Sequence, residues 1–563
     1  MERSSPALLT VGVAALATFV ALRFLRSRSP LSNIDGPPST SWVLGSLGSF
    51  FSLDNLDFVR HVQERYGPVA LFNSPLLGKV IFTRDLKALH SVYIKDAEVW
   101  SRGKLNNVAG QAIMGPGLLT THGDMHRRQR KMLTPVFSAA YMRSVTPLFY
   151  DIIGKLEDAI GTRLRAQGGS GEVDMVAWMG RAALELVGQG ILGHSFDPLV
   201  ADTKDEFTEA VKSFSPTLAH ITYALAILSL VRHVMPARLG SAFARLWPDP
   251  HTRRMKWLSD FLYGRSRALF EEKRARLVKG EDAELAHQVG EGQDVMSILL
   301  RENMLAKEED RLPDDQIVAQ VITFIIAGVD TTSNSLARVL DVLSKHPDAQ
   351  KRLREEVLEA REAYGKEIPY DDLSALPYLD AVCRETLRLL SPVGSSMREC
   401  VTQAEQDTTL PLQRPITGKD GAQISEIIVP KGTFFIADIS GVNTSKELWG
   451  ADAHQWKPER WLGPLPAAVE EAHIPGIYAH QMTFIGGGMS CIGFKFSQLE
   501  MKMVLATLVA AFEFKPSKKS FVWNSAGVSY PSAKMGDKDP QMILEVSLAK
   551  SSWLGDSVRC NCE

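Results

Sequence analysis

The chain has 563 residues, 45% of them apolar, and a formal net charge of −2. That is enough apolar material for a large core, the length suggests two or three ordinary domains, and the balanced charge gives no sign of a nucleic-acid partner. The five cysteines (Cys383, Cys400, Cys491, Cys560 and Cys562) lack the even, regular spacing of a disulfide framework and point to a reducing compartment.

Pro6 to Leu22 is an uncharged apolar run, continued by Phe24 and Leu25. Its length is near the lower bound for a helix that crosses a bilayer. Arg23, Arg26 and Arg28 follow it against Arg3 before it, which places the following chain in the cytosol. A cleaved signal peptide is the competing reading, disfavoured because the arginines lie after the apolar core. With the body in the cytosol, the Asn443-Thr444-Ser445 sequon never meets the glycosylation machinery. Gly36-Pro37-Pro38 then gives a stiff, non-helical linker.

Asn55 to Tyr66 reads as a helix. Val69 to Phe72 and Lys79 to Phe82 read as a strand pair around a turn at Pro75 to Gly78. In Gly123 to Lys131, His126 and Arg130 lie four apart and share one helical face, while Arg127, Arg128 and Lys131 point elsewhere. The bland meaning of such a charge run is a solvated helix face. Leu218 to Val231 carries only His220 as a possible charge and reads as a core helix, with a membrane-facing segment as the alternative.

Pro313 to Ser344 predicts a long helix, with Pro313 near its first turn and Asp314-Asp315 favouring its N-terminus. Inside it, Ala327-Gly328-Val329-Asp330-Thr331-Thr332 sets an acid beside threonines in an apolar helix, which is costly unless it serves a purpose. Gly328 would let a flat ligand approach the backbone, and the threonine hydroxyls can bond backward to the helix. Glu385 and Arg388 then stand at i and i+3 on one helical face, a pairing that is worth little when exposed. Pro392 to Arg398 reads as a turn and strand.

Near the C-terminus, Gly486-Gly487-Gly488 leads to Cys491, and the glycines would allow a tight path with positive φ. Phe496, Leu499, Met503, Val504, Leu508 and Phe512 follow at helical spacing, so Cys491 is expected at a helix start that favours a thiolate. A lone thiolate among glycines suits a large cofactor metal better than tetrahedral zinc; a buried structural cysteine is the alternative. Met542, Leu544, Val546 and Leu548 alternate with Glu545 and Ser547, which predicts a late edge strand. The Cys560-x-Cys562 pair reads as part of a tail.

Phe484-Ile485-Gly486-Gly487-Gly488-Met489-Ser490-Cys491-Ile492-Gly493 resembles the cysteine-ligand loop of the haem-thiolate monooxygenases, the cytochromes P-450: Phe-x-x-Gly-x-Arg-x-Cys-x-Gly. Phe484, Gly487, Cys491 and Gly493 match, and Met489 stands where that family has Arg. Ala327 to Thr332 is similar to its oxygen-activation motif. Glu385 and Arg388 with Arg460 match its Glu-x-x-Arg pair and later Arg, and His126-x-x-x-Arg130 stands where it has Trp-x-x-x-Arg. The loop and the residues up to Glu500 resemble the fungal, membrane-anchored type.

The resemblance implies a mainly α fold with a small β-rich lobe, one large domain over 51–548 after an anchor (1–30) and a linker (31–50), with a tail over 549–563. It implies heme b with Cys491 as the iron ligand, His126, Arg130 and Arg398 on the propionates, and Phe484, Gly487 and Gly493 shaping the loop. Thr331 would hydrogen-bond the oxygen being activated and Asp330 would feed protons to it; Glu385, Arg388 and Arg460 would be structural. Val329, Val393 and Met397 suggest a lipophilic pocket. The implied reaction inserts one atom of O2 into a lipophilic small molecule, a terpenoid or other secondary metabolite, with electrons from NADPH through a reductase docked on the basic face of Arg127, Arg128 and Lys131. The implied location is the endoplasmic reticulum membrane, single-pass, with the catalytic domain in the cytosol. The alternatives are a haem-thiolate isomerase or dehydratase that does not use O2, and a haem-poor binding protein that Met489 has impaired.

Overall fold

Apolar periodicity along the chain produces two regions: a helical body around one long buried helix, and a smaller sheet region built from both ends of the sequence. The computed structural model describes residues 29–42, 44–75, 77–197, 199, 206–221, 249–279, 294–401 and 407–549. The expected anchor, the cysteine pair at 560 and 562, and most of the Leu218–Val231 run lie outside the described residues.

Helix α1 (Leu56–Tyr66) ends at Gly67, whose φ of 74° suits glycine. Strands β1 (Val69–Ser74) and β2 (Gly78–Thr83) pair antiparallel with Phe72 opposite Val80, as the alternation predicts. After β3 (Trp100–Ser101) come α2 (Gly123–Leu133), α3 (Ala139–Ala166), β4 (Ser170–Asp174), α4 (Met175–Leu192) and α5 (Glu206–Lys212). The long helix α6 (Asp314–Lys345) follows, then α7 (Pro377–Leu389), β5 (Ser395–Cys400), the hairpin of β6 (Thr408–Thr417) and β7 (Gln423–Val429), and β8 (Phe434–Asp438). Helix α8 (Phe494–Ala511) runs directly into β9 (Phe512–Pro516), and β10 (Val522–Asn524), β11 (Tyr530–Ser532) and β12 (Ile543–Leu548) complete the order.

The five-stranded sheet has the order β1-β2-β8-β5-β3, with β2 and β8 parallel, so the first hairpin is stitched to strands from the last third of the chain. Helix α6 is apolar and long enough to cross a membrane, but it is buried against α4, α5, α7 and α8 and forms the axis of the core. Its predicted start holds: Pro313 is the N-cap residue, with Asp314 and Asp315 in the first turn.

Three expectations are corrected. Strand β12 is not an edge strand, because β4 pairs with one side of it and β9 with the other. Leu544 and Val546 alternate with Glu545 whether or not the strand's edges are paired, so the pattern reports faces and not neighbours. Gly328 does not present its bare side to a flat ligand: a Cβ there would lie 2.8 Å from Val187 Cγ2, so the close packing of α4 on α6 demands the glycine. Val329 is fully buried in the helical core and lines no accessible space, whereas Val393 and Met397 are partly exposed.

Asp438, at the end of β8, is buried and accepts hydrogen bonds from Gly441 N (2.8 Å) and Gln63 Nε2 (2.8 Å). Burial outweighs both bonds and the nearby Arg84, and pushes its carboxyl up to about 6. The folded protein therefore keeps a proton that the unfolded chain releases in the window from about pH 4 to about pH 6. The stabilisation from that proton is complete below the window and is lost as the pH rises through it. Asp438→Asn keeps the Gly441 bond and carries no charge. Relative to wild type, it is expected to gain roughly 3 kcal/mol between pH ~4 and pH ~7 in urea unfolding. A wild-type-to-variant difference that is flat across this range would count against the account.

Candidate functional site

The loop before α8 is held in an unusual path by its own backbone. Cys491 N donates to Phe484 O at 2.9 Å and Ser490 N donates to Gly487 O at 3.1 Å. Of the three glycines only Gly487 takes a positive φ (72°), while Ile485, with φ of 54°, takes the left-handed turn that was expected of a glycine. Gly486 and Gly487 are required for closeness: a Cβ would meet Pro475 O at 2.5 Å and Tyr93 O at 2.0 Å. The Phe484 ring meets the Tyr478 and Phe494 rings at 5.6 and 6.2 Å, and Gly493 caps α8.

Protein surrounds Cys491, yet its side chain is accessible, so the thiol faces an internal space. Helix α8 starts at Phe494, beyond the cysteine, and burial pushes the Cys491 thiol up despite the Gly493 N–H and the Arg130 charge. The Gly493 N–H favours the thiolate, as the nearby helix start predicts, and burial works against it. A bound metal cation is what would deprotonate this sulfur.

Helix α2 brings its predicted pair to the loop. Arg130 donates to Ser490 O at 2.6 Å and to Ser490 Oγ at 3.0 Å, one residue from Cys491. His126, one turn earlier, is buried and pushed down to about 4, first by burial and then by Arg102, Arg130, Arg398 and His122. It is neutral at pH 7 and keeps one N–H donor. Arg398 comes in on β5, its guanidinium 4.8 Å over the Tyr93 ring and bonded to Ser396 Oγ and Met397 O. A fourth member, Arg102, has no motif around it and was not found in the sequence. It follows β3 directly and donates to Leu118 O and Leu119 O; burial, Arg398 and Arg130 lower it to about 9. Among the described residues no ion pair joins a carboxylate to Arg102, Arg130 or Arg398. Buried and half-buried cations gathered without an acid call for an anionic group from outside the chain.

On α6, Ala327, Gly328 and Thr331 are partly accessible among otherwise buried neighbours. Thr331 Oγ1 donates to Ala327 O at 2.7 Å, the backward bond expected of it. Asp330 points the other way and is buried: Asn334 Nδ2 donates to its Oδ1 at 3.1 Å, and Lys212 Nζ of α5 lies 3.8 Å from the same oxygen. Burial raises the Asp330 carboxyl, opposed by Lys212, Ser215 and Asn334. Like Arg102, Lys212 carried no motif signal.

Glu385 and Arg388 are both fully buried and form a bidentate pair at 2.8 Å, with Arg460 Nε 3.4 Å from Glu385 Oε1. Trp461 Nε1 and Lys457 N also donate to Glu385, at 2.9 and 3.1 Å. The three side chains thus form one buried cluster. On the opposite side of α2, Arg127 and Arg128 are exposed; Arg127 is paired with Asp124 (3.0 Å) and Glu98 (3.2 Å), and Arg128 donates to Glu309 O.

The family model described as "Cytochrome P450" matches residues 36–532. The chain belongs to the cytochrome P450 family. "Cytochrome P450 monooxygenase 91" of Postia placenta is 45% identical over 524 residues, covering 93% of this chain and 95% of that one. "Ganoderic acid synthetase CYP5150L8" of Ganoderma lucidum is 43% identical over 550 residues, covering 97% and 99%. A crystal structure of a cytochrome P450 (CYP102L1) superposes with a TM-score of 0.66 at 22% identity over 92% of this chain and 99% of that one, which supports the fold. The fold is thus one mainly helical domain with small sheets, and not the two or three domains that length suggested.

As a cytochrome P450 monooxygenase, the protein uses haem b, with NADPH as electron source through a reductase. The donor set fits that group: one accessible thiol beside Arg130, and cations lacking an internal acid, suit a metal with two attached carboxylates.

Proposed function

We propose that this cytochrome P450 inserts one O2-derived oxygen atom into a lipophilic small molecule of the terpenoid or other secondary-metabolite class. The observation that carries the reading is the accessible Cys491 thiol beside Arg130, within a group of buried and half-buried arginines (102, 130 and 398) that has no acid of its own. In this reading Cys491 holds the iron, and Arg102, His126, Arg130 and Arg398 hold the propionates. Phe484, Gly487 and Gly493 fix the loop. Bound haem supplies the activation of O2 and the transfer of oxygen. Thr331 holds a hydroxyl at the accessible face of α6, and Asp330, one residue away and shut off from solvent, passes protons toward it. Val393 and Met397 give the substrate side apolar surface, and the ganoderic acid synthetase among the relatives supports the substrate class. The Pro6–Leu22 run anchors the chain once in the endoplasmic reticulum membrane, leaving 51–548 in the cytosol as the catalytic domain between linker (31–50) and tail (549–563). A reductase docks over the exposed basic residues of α2.

The test is the absorption spectrum of the purified protein, reduced and with carbon monoxide added. A strongly red-shifted Soret band supports thiolate ligation by Cys491; a haem-loaded protein with an unshifted band refutes it. Reconstitution with a reductase, NADPH and terpenoid candidates then reads product one oxygen heavier, and product formed without O2 or NADPH would favour an isomerase or dehydratase.

Met489 lies between Gly488 and Ser490, next to the Arg130 bonds, and offers no charge. Met489→Arg adds a charged donor at the loop, worth about 1.5 kcal/mol to a bound carboxylate, or roughly tenfold in haem retention. Transfer of haem to an apo-globin acceptor is expected to slow by about that factor; equal or faster loss would show that Arg102 and its neighbours already saturate the carboxylates.

A further inference from the structure

Ser91–Lys95 is a π-helical turn, a rare geometry that is frequent at functional sites. Its central residue, Tyr93, is 3% exposed, and its phenol oxygen has no hydrogen-bond partner among the described residues. The residue is held from two sides. The Arg398 guanidinium lies 4.8 Å over its ring, and its carbonyl abuts the cysteine loop, where a Cβ on Gly487 would come within 2.0 Å of Tyr93 O. The π-helical turn packs on the short 3-10 turn Gly487–Met489, so Tyr93 and Met489 belong to one contact region. The phenol also lies in the field of Arg102. Packing alone does not ask for the hydroxyl. A phenylalanine would fill the same space and carry the same guanidinium, without the cost of an unpaired buried O–H.

We propose that the Tyr93 phenol donates a hydrogen bond to a carboxylate of the bound haem and so supplies the donor that Met489 lacks. The inference rests on the reading of Arg102, Arg130 and Arg398 as the group that holds the carboxylates. Tyr93 adjoins two of these arginines, Arg398 through its ring and Arg102 through its phenol. The anion that those cations call for therefore also meets the unpaired O–H. The cysteine loop has little to offer in its place. Between Gly487 and Cys491 its polar side chain, Ser490, is engaged by Arg130, and Met489 brings a thioether with no N–H or O–H. A phenol brings the donor without adding a charge to three arginines that already crowd one another.

The experiment uses the full-length haem-loaded protein and Tyr93→Phe, which removes only the hydroxyl. Resonance Raman spectra are expected to show a shifted propionate bending band in the variant. Haem transfer to an apo-globin acceptor is expected to run about tenfold faster, as for the loss of one hydrogen bond to a charged group. In the haem-free proteins the unfolding midpoints should coincide or favour the variant, because the hydroxyl has no partner there. In the Met489→Arg background the same substitution should change transfer by less than about twofold, since the arginine takes over the same carboxylate. An unshifted band with unchanged transfer overturns the inference. A variant destabilised in the absence of haem overturns it too, by making the hydroxyl structural. Equal costs in the two backgrounds overturn the part assigned to Met489. Arg102→Gln and Arg398→Gln separate the two levels of the reading. Propionate bands that ignore both refute the role of the cations, whereas bands that respond to both and ignore Tyr93→Phe refute Tyr93 alone. If Tyr93→Phe does not fold, wild type loaded with haem is compared with wild type loaded with haem dimethyl ester. An infrared difference spectrum with no tyrosine C–O band would then overturn the inference.

Discussion

Glu385→Ala is expected to give a protein that carries no haem and unfolds a few degrees earlier. The side chain accepts five hydrogen bonds, from Arg388 (two), Arg460, Trp461 and the Lys457 amide. Removing it leaves the fully buried Arg388 without its counter-charge, a loss of about 3–5 kcal/mol from a total stability of order 5–15 kcal/mol. The damage has a direct line to the cysteine loop. Arg388 also donates to Asn443 O and Ala453 O at 2.8 and 2.7 Å. The Asn443 side chain in turn bonds Met482 N (2.8 Å) and Thr483 Oγ1 (3.0 Å), the two residues before Phe484, whose carbonyl holds Cys491. Loosening Arg388 therefore loosens the backbone that aims the thiol. The haem-to-protein ratio after purification, read with the thermal midpoint, checks this; a full haem load would show that the cluster has no part in building the site.

Much of this was readable in the sequence because the relevant signals are local. The spacing of His126 and Arg130 is a property of one helix, as is that of Glu385 and Arg388, and both pairs sit together as one turn of helix requires. The cysteine loop was readable because its glycines mark a close backbone approach, even though the partner at 487 is Tyr93 O, far away in sequence. Arg102 and Lys212 were not readable. Each is a single basic residue whose meaning comes from neighbours on other segments: Arg398 and Arg130 for one, Ser333 and Asp330 for the other. The same holds for β12, where alternation reports the buried face and only tertiary pairing decides that the strand is central. Gly328 shows the opposite failure. A ligand-facing role was assigned to a glycine that helix packing against Val187 already explains.

Cys491→Ser is expected to abolish monooxygenation and the red-shifted carbon monoxide band while leaving the fold intact. The bond that shapes the loop at this position comes from the Cys491 backbone N–H and persists in the variant, as do the Ser490 bonds to Arg130. The unfolding midpoint of the haem-free protein should stay within about 0.5 kcal/mol of wild type, the range of substitutions that remove no packed group. This separates the variant from Glu385→Ala, which loses the same spectrum together with stability. The comparison is clean because the other described cysteines cannot substitute. Cys383 and Cys400 are both buried; Cys383, within α7, is pushed up to about 12 by burial, and Cys400 lies in the five-stranded sheet opposite Trp100. A Cys491→Ser protein that kept a thiolate-type band would require one of them to leave its core. A protein that kept haem but lost the band would locate the ligand at Cys491, with the cations of Arg102, Arg130 and Arg398 still holding the carboxylates.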